Sequence, residues 1–510
     1  MGMAVVLTRA QLGMESPLVR VEVNVARGVP SLQIIGMPET TVREARDRVK
    51  TAILNSGLEF PVARITINLS PAELPKQGAR FDLAIALGIL VANETIEEGE
   101  LPHLECYGEL ALDGAIRRID GVLPALIAAQ KANHCALVPA ANRDEAALLR
   151  EPSAYAVASL AAAVRHIEKI SVLPFIEPQL LPPQPQGIAD IADVHGQERA
   201  KRALLLAAAG GHHVLFVGPP GTGKTMLAQR LIGLLPPLPE PEALEVAAIS
   251  SLTGEKFQAQ SWRQRPFRAP HHSCSAAALV GGGSIPRPGE ITLAHRGILF
   301  MDELTETPRH VLDSLREPLE SGRVSISRAR QQVTFPARFQ LVCALNPSPC
   351  GTFNGDIQSS RSTPEQILKY LGKISGPFLD RIDLQVDVPR QPETLRLAQS
   401  SQQKKGESSA LLQQNVVAAQ QLQLQRQGCL NHALSAKELA KVARLNASDH
   451  DFLVTAMEKF SLSHRAYHRT LRLARTIADL AEEPKLKKEH VMEALSYRAL
   501  DALLSQLREL

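Results

Sequence analysis

Aromatic residues make up only 4% of this 510-residue chain, with a single tryptophan. So few ring faces argue against recognition by base stacking. The six cysteines (Cys106, Cys135, Cys274, Cys343, Cys350 and Cys429) are scattered without a Cys-x-x-Cys pair. That pattern gives no disulfide framework and suits a reducing compartment. Neither sign of charge dominates: 56 Lys and Arg stand against 53 Asp and Glu, a net charge of +3. A nucleic-acid contact would therefore be a local basic surface rather than a global one. No apolar run is long enough to span a bilayer, and the N-terminus lacks a charged-then-apolar signal pattern. The expectation is a cytoplasmic protein with no membrane partner.

What is present is an ordinary globular composition over a length that suits about three domains. Residues 173–187 carry five prolines and no helical period, and read as a stiff linker. Before them strands and helices alternate: Leu18 to Val25 and Ala63 to Leu69 as strands, Val42 to Leu54 and Ala79 to Ala92 as helices. The fold class expected is α/β, with an α/β domain over 1–170, a Pro-rich linker over 171–190, a nucleotide-binding core over 191–395 and a helical region over 396–510. Residues 398–412 are Gln- and Ser-rich, and the segment from there to Gln427 predicts a long exposed helix. Near the end, Ser435-x-x-Glu438 forms a capping box, and Ser463 to Leu480 and Lys488 to Leu507 have amphipathic spacing.

The strongest local signal is Gly218-Pro219-Pro220-Gly221-Thr222-Gly223-Lys224-Thr225. The glycines let backbone N–H groups face phosphate oxygens, Lys224 adds a point charge, and Thr225 offers a hydroxyl to Mg²⁺. An apolar run, His213 to Val217, precedes the loop as a buried strand. Met226 to Leu235 follows with helical spacing, which sets the phosphates at a helix N-terminus. ATP and Mg²⁺ are the ligands expected.

Gly297 to Glu303 reads as an apolar strand ending in two acids. Asp302 is placed to hold Mg²⁺ through water and Glu303 to orient or deprotonate the attacking water. Leu341 to Asn346 is a further strand ending in a polar residue. Asn346 there either positions water near the γ-phosphate or serves the turn that Asn-Pro favours, and both can hold. Arg381, among acids after Gly376-Pro377-Phe378, is either a salt-bridged surface residue or an arginine finger for a neighbouring subunit. Arg465, Arg469, Arg472 and Arg475 share one helix. One of them is a candidate γ-phosphate sensor, and the others are expected to be solvated or interfacial.

Together these segments resemble the YifB/ComM family of magnesium-chelatase-like AAA+ ATPases. The resemblance runs nearly the whole length, through Gly36-Met37-Pro38, Asn68-Leu69-Ser70-Pro71, the phosphate loop, Ala269-Pro270-His271-His272-Ser273, Leu315 to Glu320, Ser375-Gly376-Pro377 and Ala474 to Leu480. It implies a P-loop AAA+ domain with a parallel sheet, a C-terminal helical lid, and a homo-hexameric ring with ATP at subunit interfaces. It also implies Asp193-x-x-Gly196-Gln197 near the adenine, Asn346 as sensor 1, Arg381 as the finger and Arg465 as sensor 2.

In related ring motors the hairpin before sensor 1 lines the pore. Here Arg323 to Phe335 reads as that hairpin, with Arg328 and Arg330 as candidates to track a DNA backbone. Gly281-Gly282-Gly283 breaks the helix expected between His271 and His295 and resembles a helix-2 insert, a second pore loop. Relatives carry Cys-x-Cys pairs where this chain has Ser348-Pro349-Cys350 and Ser360-Arg361-Ser362, so no structural zinc is expected. The first 170 residues resemble the Lon-protease-like fold of the ribosomal-S5 type. Arg80 and Leu123 stand at the places of the protease's Ser and Lys, so no dyad forms. The family implies ATP-driven branch migration (helicase-like) of single-stranded or branched DNA in natural transformation, with a recombinase as possible partner. The alternatives are a chelatase-type motor for metal insertion into a tetrapyrrole, and a protein remodeller.

Overall fold

The computed structural model describes residues 2–36, 40–179, 181–182, 189–283, 286–328, 331–351, 361–391, 406–459 and 463–508. Met37, Pro38, Ser360, Arg330 and the side chain of Arg328 lie outside the described residues, as do parts of the two punctuated stretches.

Two separate sheets organise the chain. The front sheet has seven strands in the order Ser31–Ile35, Arg64–Ser70, Leu18–Ala26, Met3–Arg9, Leu104–Cys106, Cys135–Pro139, Ala154–Val157. Its sequence pattern explains its shape. Val19, Val21, Val23 and Val25 alternate inward and are buried, while Arg20 and Asn24 face out. The helices Thr40–Asn55 and Asp82–Ala92 cover the apolar side, and the second begins as a 3₁₀ turn over Ala79–Phe81. Beyond the last strand, part of the proline-rich stretch is docked. Phe175 stacks on Tyr155 at 4.3 Å, and the Ile176 N–H donates to the Ala154 carbonyl at 2.8 Å.

The second sheet has five strands, all parallel, in the order Phe267–Arg268, Ile298–Met301, Gln340–Leu345, Val214–Val217, Leu384–Asp387. The three central strands are buried at every position, as a parallel sheet covered on both faces requires. Helices Glu198–Gly210 and Lys224–Leu234 cover one side and share a core with the C-terminal helices. The expected mixed α/β architecture, with a parallel sheet and a helical C-terminal region, is present.

Three expectations need correction. The helix Ser409–Gln427 is not an exposed rod, since Leu412, Val416, Ala419 and Gln423 are buried. Its glutamines explain why: Gln413 donates to the carbonyl of Leu235 at 2.7 Å, Gln420 to Ala208 at 2.8 Å and Gln423 to Ala209 at 3.1 Å. These are carbonyls at the C-terminal ends of the two covering helices, where intrahelical partners run out. The segment from Lys488 is two helices, Lys488–Ser496 and Ala499–Arg508, rather than one. Gln385 of the sheet makes the break. Its N–H donates to the Tyr497 carbonyl at 3.0 Å, and its Oε1 accepts from the N–H groups of Leu500 and Asp501, both at 3.1 Å. Finally, Arg469 and Arg475 are buried and Arg472 is half-buried, rather than solvated. Arg469 donates to the Ile382 carbonyl at 2.8 Å and Asp380 at 2.9 Å, Arg472 to the Leu434 carbonyl, and Arg475 to Asp479 at 3.0 Å.

The front sheet's helices and loops rest on the nucleotide core. Gly121 N–H donates to the Ser251 carbonyl at 2.7 Å, Arg118 to the Gly254 carbonyl at 2.5 Å, and the Ser251 hydroxyl to Glu145 at 2.6 Å.

Candidate active site at the strand ends

The strands Val214–Val217, Gln340–Leu345 and Ile298–Met301 run parallel as neighbours, so their C-terminal ends open at one edge. Ligands bind at such edges in open α/β sheets. The loop 218–223 leaves the first strand there. Gly221 and Gly223 take φ of 79° and 87°, and a Cβ on either would meet nothing within 4 Å. The loop needs glycine for its backbone, not for tight packing, and it stays open for a ligand. Gly218 differs: a Cβ there would collide with the Val388 carbonyl.

Lys224 opens the helix that follows. Its Nζ donates to the carbonyls of Gly218 at 2.7 Å and Pro219 at 2.8 Å, and to Asn346 Oδ1 at 3.0 Å. Burial lowers its pKa, against the opposing pull of Asp302 and Glu303. The ammonium thus bonds groups of its own loop, contacts that phosphate oxygens would replace. Asn346 directly follows the neighbouring strand, and its side chain meets Lys224.

Thr225 Oγ1 donates to Asp302 Oδ2 at 2.8 Å. The pair offers a hydroxyl and a carboxylate at a solvent-facing position beside the loop. That is the hard-oxygen donor set Mg²⁺ takes alongside phosphates, so the residues fit the ion. Asp302 Oδ1 also accepts the Glu303 N–H at 2.9 Å. Glu303 has φ of 47°, a left-handed conformation uncommon for a residue with a side chain. Such strain clusters where a side chain must be aimed.

One contact here was not foreseen. His272 Nδ1 lies 3.0 Å from Glu303 Oε2, and its ring lies tilted against that of His271, with centroids 4.1 Å apart. His271 in turn meets the Ser273 hydroxyl at 2.7 Å. The pairing follows from strand order: Phe267–Arg268 lies beside Ile298–Met301, so the residues after each strand meet. Nothing in the local sequence gives that neighbourhood.

Gly196 and Gln197 take φ of 65° and 56° just before helix Glu198–Gly210. Gln197 Nε2 donates to the Pro389 carbonyl at 2.8 Å. Pro389 adjoins Val388, which packs on Gly218, and so Gly196 and Gln197 reach the phosphate loop through that strand end.

Arg381 is not in this cluster. Its guanidinium donates to the Arg316 carbonyl at 3.2 Å, to the Pro377 carbonyl and to Glu320. Burial lowers its pKa, and the charges of Arg316 and Arg465 push the same way. Arg465 is exposed and exerts its field on Arg381. Both arginines belong to one body, because Arg469 of the same helix grips residues 379–382. The Arg323–Arg328 and Gln331–Pro336 strands pair as the expected hairpin. Gly281–Gly282 and Arg287–Pro288 form a second, two-stranded ribbon that interrupts the helical segment, as expected. Ser348, Cys350 and Ser362 converge, with Cys350 Sγ 3.4 Å from Ser348 Oγ and 3.1 Å from Ser362 Oγ.

A phosphate loop on a parallel sheet of this order, with two acids and an asparagine at the adjoining strand ends and a helical domain behind, defines a magnesium-chelatase-like AAA+ ATPase. Comparison with known proteins gives the same class. Residues 190–395 match the family model for magnesium chelatase, subunit ChlI; residues 21–142 match subunit ChlI of Mg-chelatase, and 406–498 its C-terminal region. Within that class, the chain belongs to the ComM/YifB family. It is 46% identical to the competence protein ComM of Haemophilus influenzae, over 99% of each chain. It is 47% identical to the uncharacterized protein YifB of Escherichia coli over the full length of both. The 38 kDa magnesium-chelatase subunit of Rhodobacter capsulatus is 32% identical over 39% of this chain and 56% of that one.

Proposed function

We propose that the chain is an ATP-driven DNA motor that works as a homo-hexameric ring and promotes branch migration during recombination in natural transformation. The observation that carries the ATPase part is the meeting of Lys224 with Asn346 and of Thr225 with Asp302, both within 3.0 Å, at the open strand ends. Lys224 exchanges loop carbonyls for the β- and γ-phosphates. Thr225 and Asp302 hold Mg²⁺, which when bound neutralises phosphate charge. Glu303 takes the proton of the attacking water, and Asn346 orients that water. His272 holds Glu303 at rest, so release of that contact frees the base. Arg381, turned to Glu320 in its own chain, serves the site of the adjacent subunit, and Arg465 beside it serves the same site. That separation within one chain is what supports a ring.

The DNA part is supported by two features. A relative of full-length similarity carries the name competence protein. The outgoing strand of the hairpin ends at Arg328, and the aromatic of the hairpin's described residues, Phe335, is buried at its base. Backbone tracking suits such a hairpin better than base stacking or a peptide grip. A tetrapyrrole metal-insertion role has less support, since the chelatase subunit covers 39% of this chain.

The test is movement of a synthetic three- or four-strand DNA junction with ATP. Junction movement and DNA-stimulated ATPase are expected with the unaltered chain and lost with Lys224→Ala. Absence of DNA binding at low salt would end the reading.

A further inference from the structure

The front sheet reaches the hairpin directly. Strand Met3–Arg9 pairs along its whole length with Leu18 to Asn24 of strand Leu18–Ala26, and their connection ends in a tight turn. Leu12 and Glu15 close the turn with reciprocal backbone hydrogen bonds of 2.9 and 3.1 Å. The legs of the turn are braced. Arg9 donates to the Ser16 carbonyl at 2.8 Å and to Glu105 at 2.7 Å, and Gln11 accepts from Arg80 at 3.0 Å. Arg9 and Glu105 are both buried, so this base is stiff.

The tip of the turn is pressed onto the return strand of the hairpin. Gly13 sits at φ 61°, and a Cβ there would collide with Val333 Cγ1 and stand 3.3 Å from Phe335 Cε1. Leu12 and Met14 pack on the cluster that contains Val324, Ile326, Val333 and Phe335. These four are the inward face of the hairpin, paired Val324 with Phe335 and Ile326 with Val333. The second ribbon approaches the same face: a Cβ on Gly281 would stand 3.0 Å from Ile326 Cδ1. The front-sheet turn and the ribbon therefore both contact the hairpin's inward face. The front sheet's domain is also attached to helix Glu240–Leu252 and its flanks, through Ser251 and Gly254, the Arg150–Glu240 pair and a shared cluster with Leu238 and Trp262. A movement of the hairpin against the sheet must either shift the whole front sheet or open the Gly13 contact, because packed interfaces switch between arrangements rather than stretch.

We infer that the front sheet is a coupling element, with the turn Leu12–Glu15 setting the position of the hairpin and so governing how DNA contact is linked to ATP turnover. This rests on the proposed reading of the hairpin as the DNA-contacting loop. Gly13 is the fulcrum, since no side chain fits between the turn and Val333.

The experiment compares the full chain with Gly13→Ala, with Met14→Ala (which makes no demand on a left-handed backbone), and with Gly13→Ala combined with Val333→Ala. Two readouts are taken: amide hydrogen exchange over 323–336 without DNA, and ATPase with and without single-stranded DNA. Both single variants are expected to speed exchange in the hairpin by at least about fivefold, the low end of ordinary coupling between sites. They should reduce DNA stimulation by a similar factor and leave DNA-free turnover unchanged. Removing Val333 Cγ1 should relieve the clash and bring both part of the way back in the double variant. Unchanged hairpin exchange in both single variants overturns the inference. So does exchange that rises equally across the front sheet, or a double variant no better than Gly13→Ala. If the unaltered chain shows no DNA stimulation while hairpin exchange still responds, the DNA reading fails and the mechanical coupling stands.

Discussion

The two sheets treat their polar residues in opposite ways. In the second sheet the groups at the strand ends stay accessible: Thr225 and Glu303 are exposed, and Asp302 is half-buried. In the front sheet the corresponding charges are closed in. Arg80 is 4% exposed and donates to Gln11 and the Asp120 carbonyl. Glu105 is buried against Arg9, Tyr107 and His134. Leu123 is fully buried. Similar layers of strand and helix thus give a site in one case and a brace in the other. The difference is whether the polar groups are closed in by the chain or held by groups that a ligand can displace.

The sharpest way to break the contrast is at Arg381, which belongs to the second sheet's domain but not to its own chain's site. Arg381→Ala is expected to lower ATP turnover by about a thousandfold or more, the scale of an arginine finger. Nucleotide affinity of the single chain should hold. Mixing this variant with Lys224→Ala should recover part of the turnover, because intact sites form where complementary faces meet. A mixture that stays inactive would put Arg381 outside the reaction.

Next in size is the base. Glu303→Gln should cut turnover by about a hundredfold to ten-thousandfold and keep ATP bound. His272→Ala should leave binding intact and raise DNA-free turnover, if the resting contact restrains Glu303. A fall in both variants would make His272 an aid to the base instead.

How much of this was legible in the sequence depended on range. The phosphate loop, its strand and its helix lie within one short window, so spacing alone places Gly218 to Thr225. Asp302 and Glu303 were also readable, because an apolar strand ending in acids is a local pattern. His272 against Glu303 was not: it depends on which strands become neighbours, and that is settled by the whole sheet. The helix Ser409–Gln427 misled because glutamine looks solvent-loving. Its amides here end the hydrogen-bond deficit of two other helices, which no pattern within the segment reveals. The arginines of helix His464–Leu480 misled for the same reason. Arg469 is buried because carbonyls 379 and 382 await a donor.

A smaller effect tests the stability of the second sheet. His295 is 2% exposed; its Nδ1 accepts the Arg338 N–H at 3.0 Å and its Nε2 faces Glu245 at 3.0 Å. Burial pushes its pKa from 6.5 down to about 4, with Arg296 and Arg338 adding to the effect and Glu245 opposing it. The unfolded chain takes up a proton below pH 6.5 that the folded chain refuses. Stability is therefore full above that pH and falls as pH drops toward 4, by on the order of 3 kcal/mol from this group. Thermal unfolding followed from pH 7.5 to 5 should show the loss, and His295→Gln should flatten it. An equal slope in the variant would assign the acid sensitivity elsewhere.

Gln423 tests the same principle at lower cost. Its Nε2 donates to the Ala209 carbonyl at 3.1 Å and its Oε1 accepts the Asn431 N–H at 2.8 Å, with the side chain fully buried. Gln423→Leu keeps the volume and strands both backbone groups, which costs about 1–3 kcal/mol. Denaturant unfolding should show the midpoint move with its slope unchanged. No shift would mean that these carbonyls find water.

The last test asks for no effect at all. If the front sheet is a brace, casein incubated with the chain and ATP should remain uncleaved. A Ser–Lys protease needs a hydroxyl and an amine within hydrogen-bond reach, with the amine able to lose its proton. Arg80 offers a guanidinium, which stays protonated under ordinary conditions even though burial lowers its pKa to about 10. Leu123 offers only a methyl-ended chain in the core. Lys76, the nearest amine in sequence, is itself buried and bonded to the Pro71 carbonyl. Cleavage that depended on ATP would show that polar groups closed in by the fold can still be released for chemistry, and the contrast between the two sheets would lose its basis.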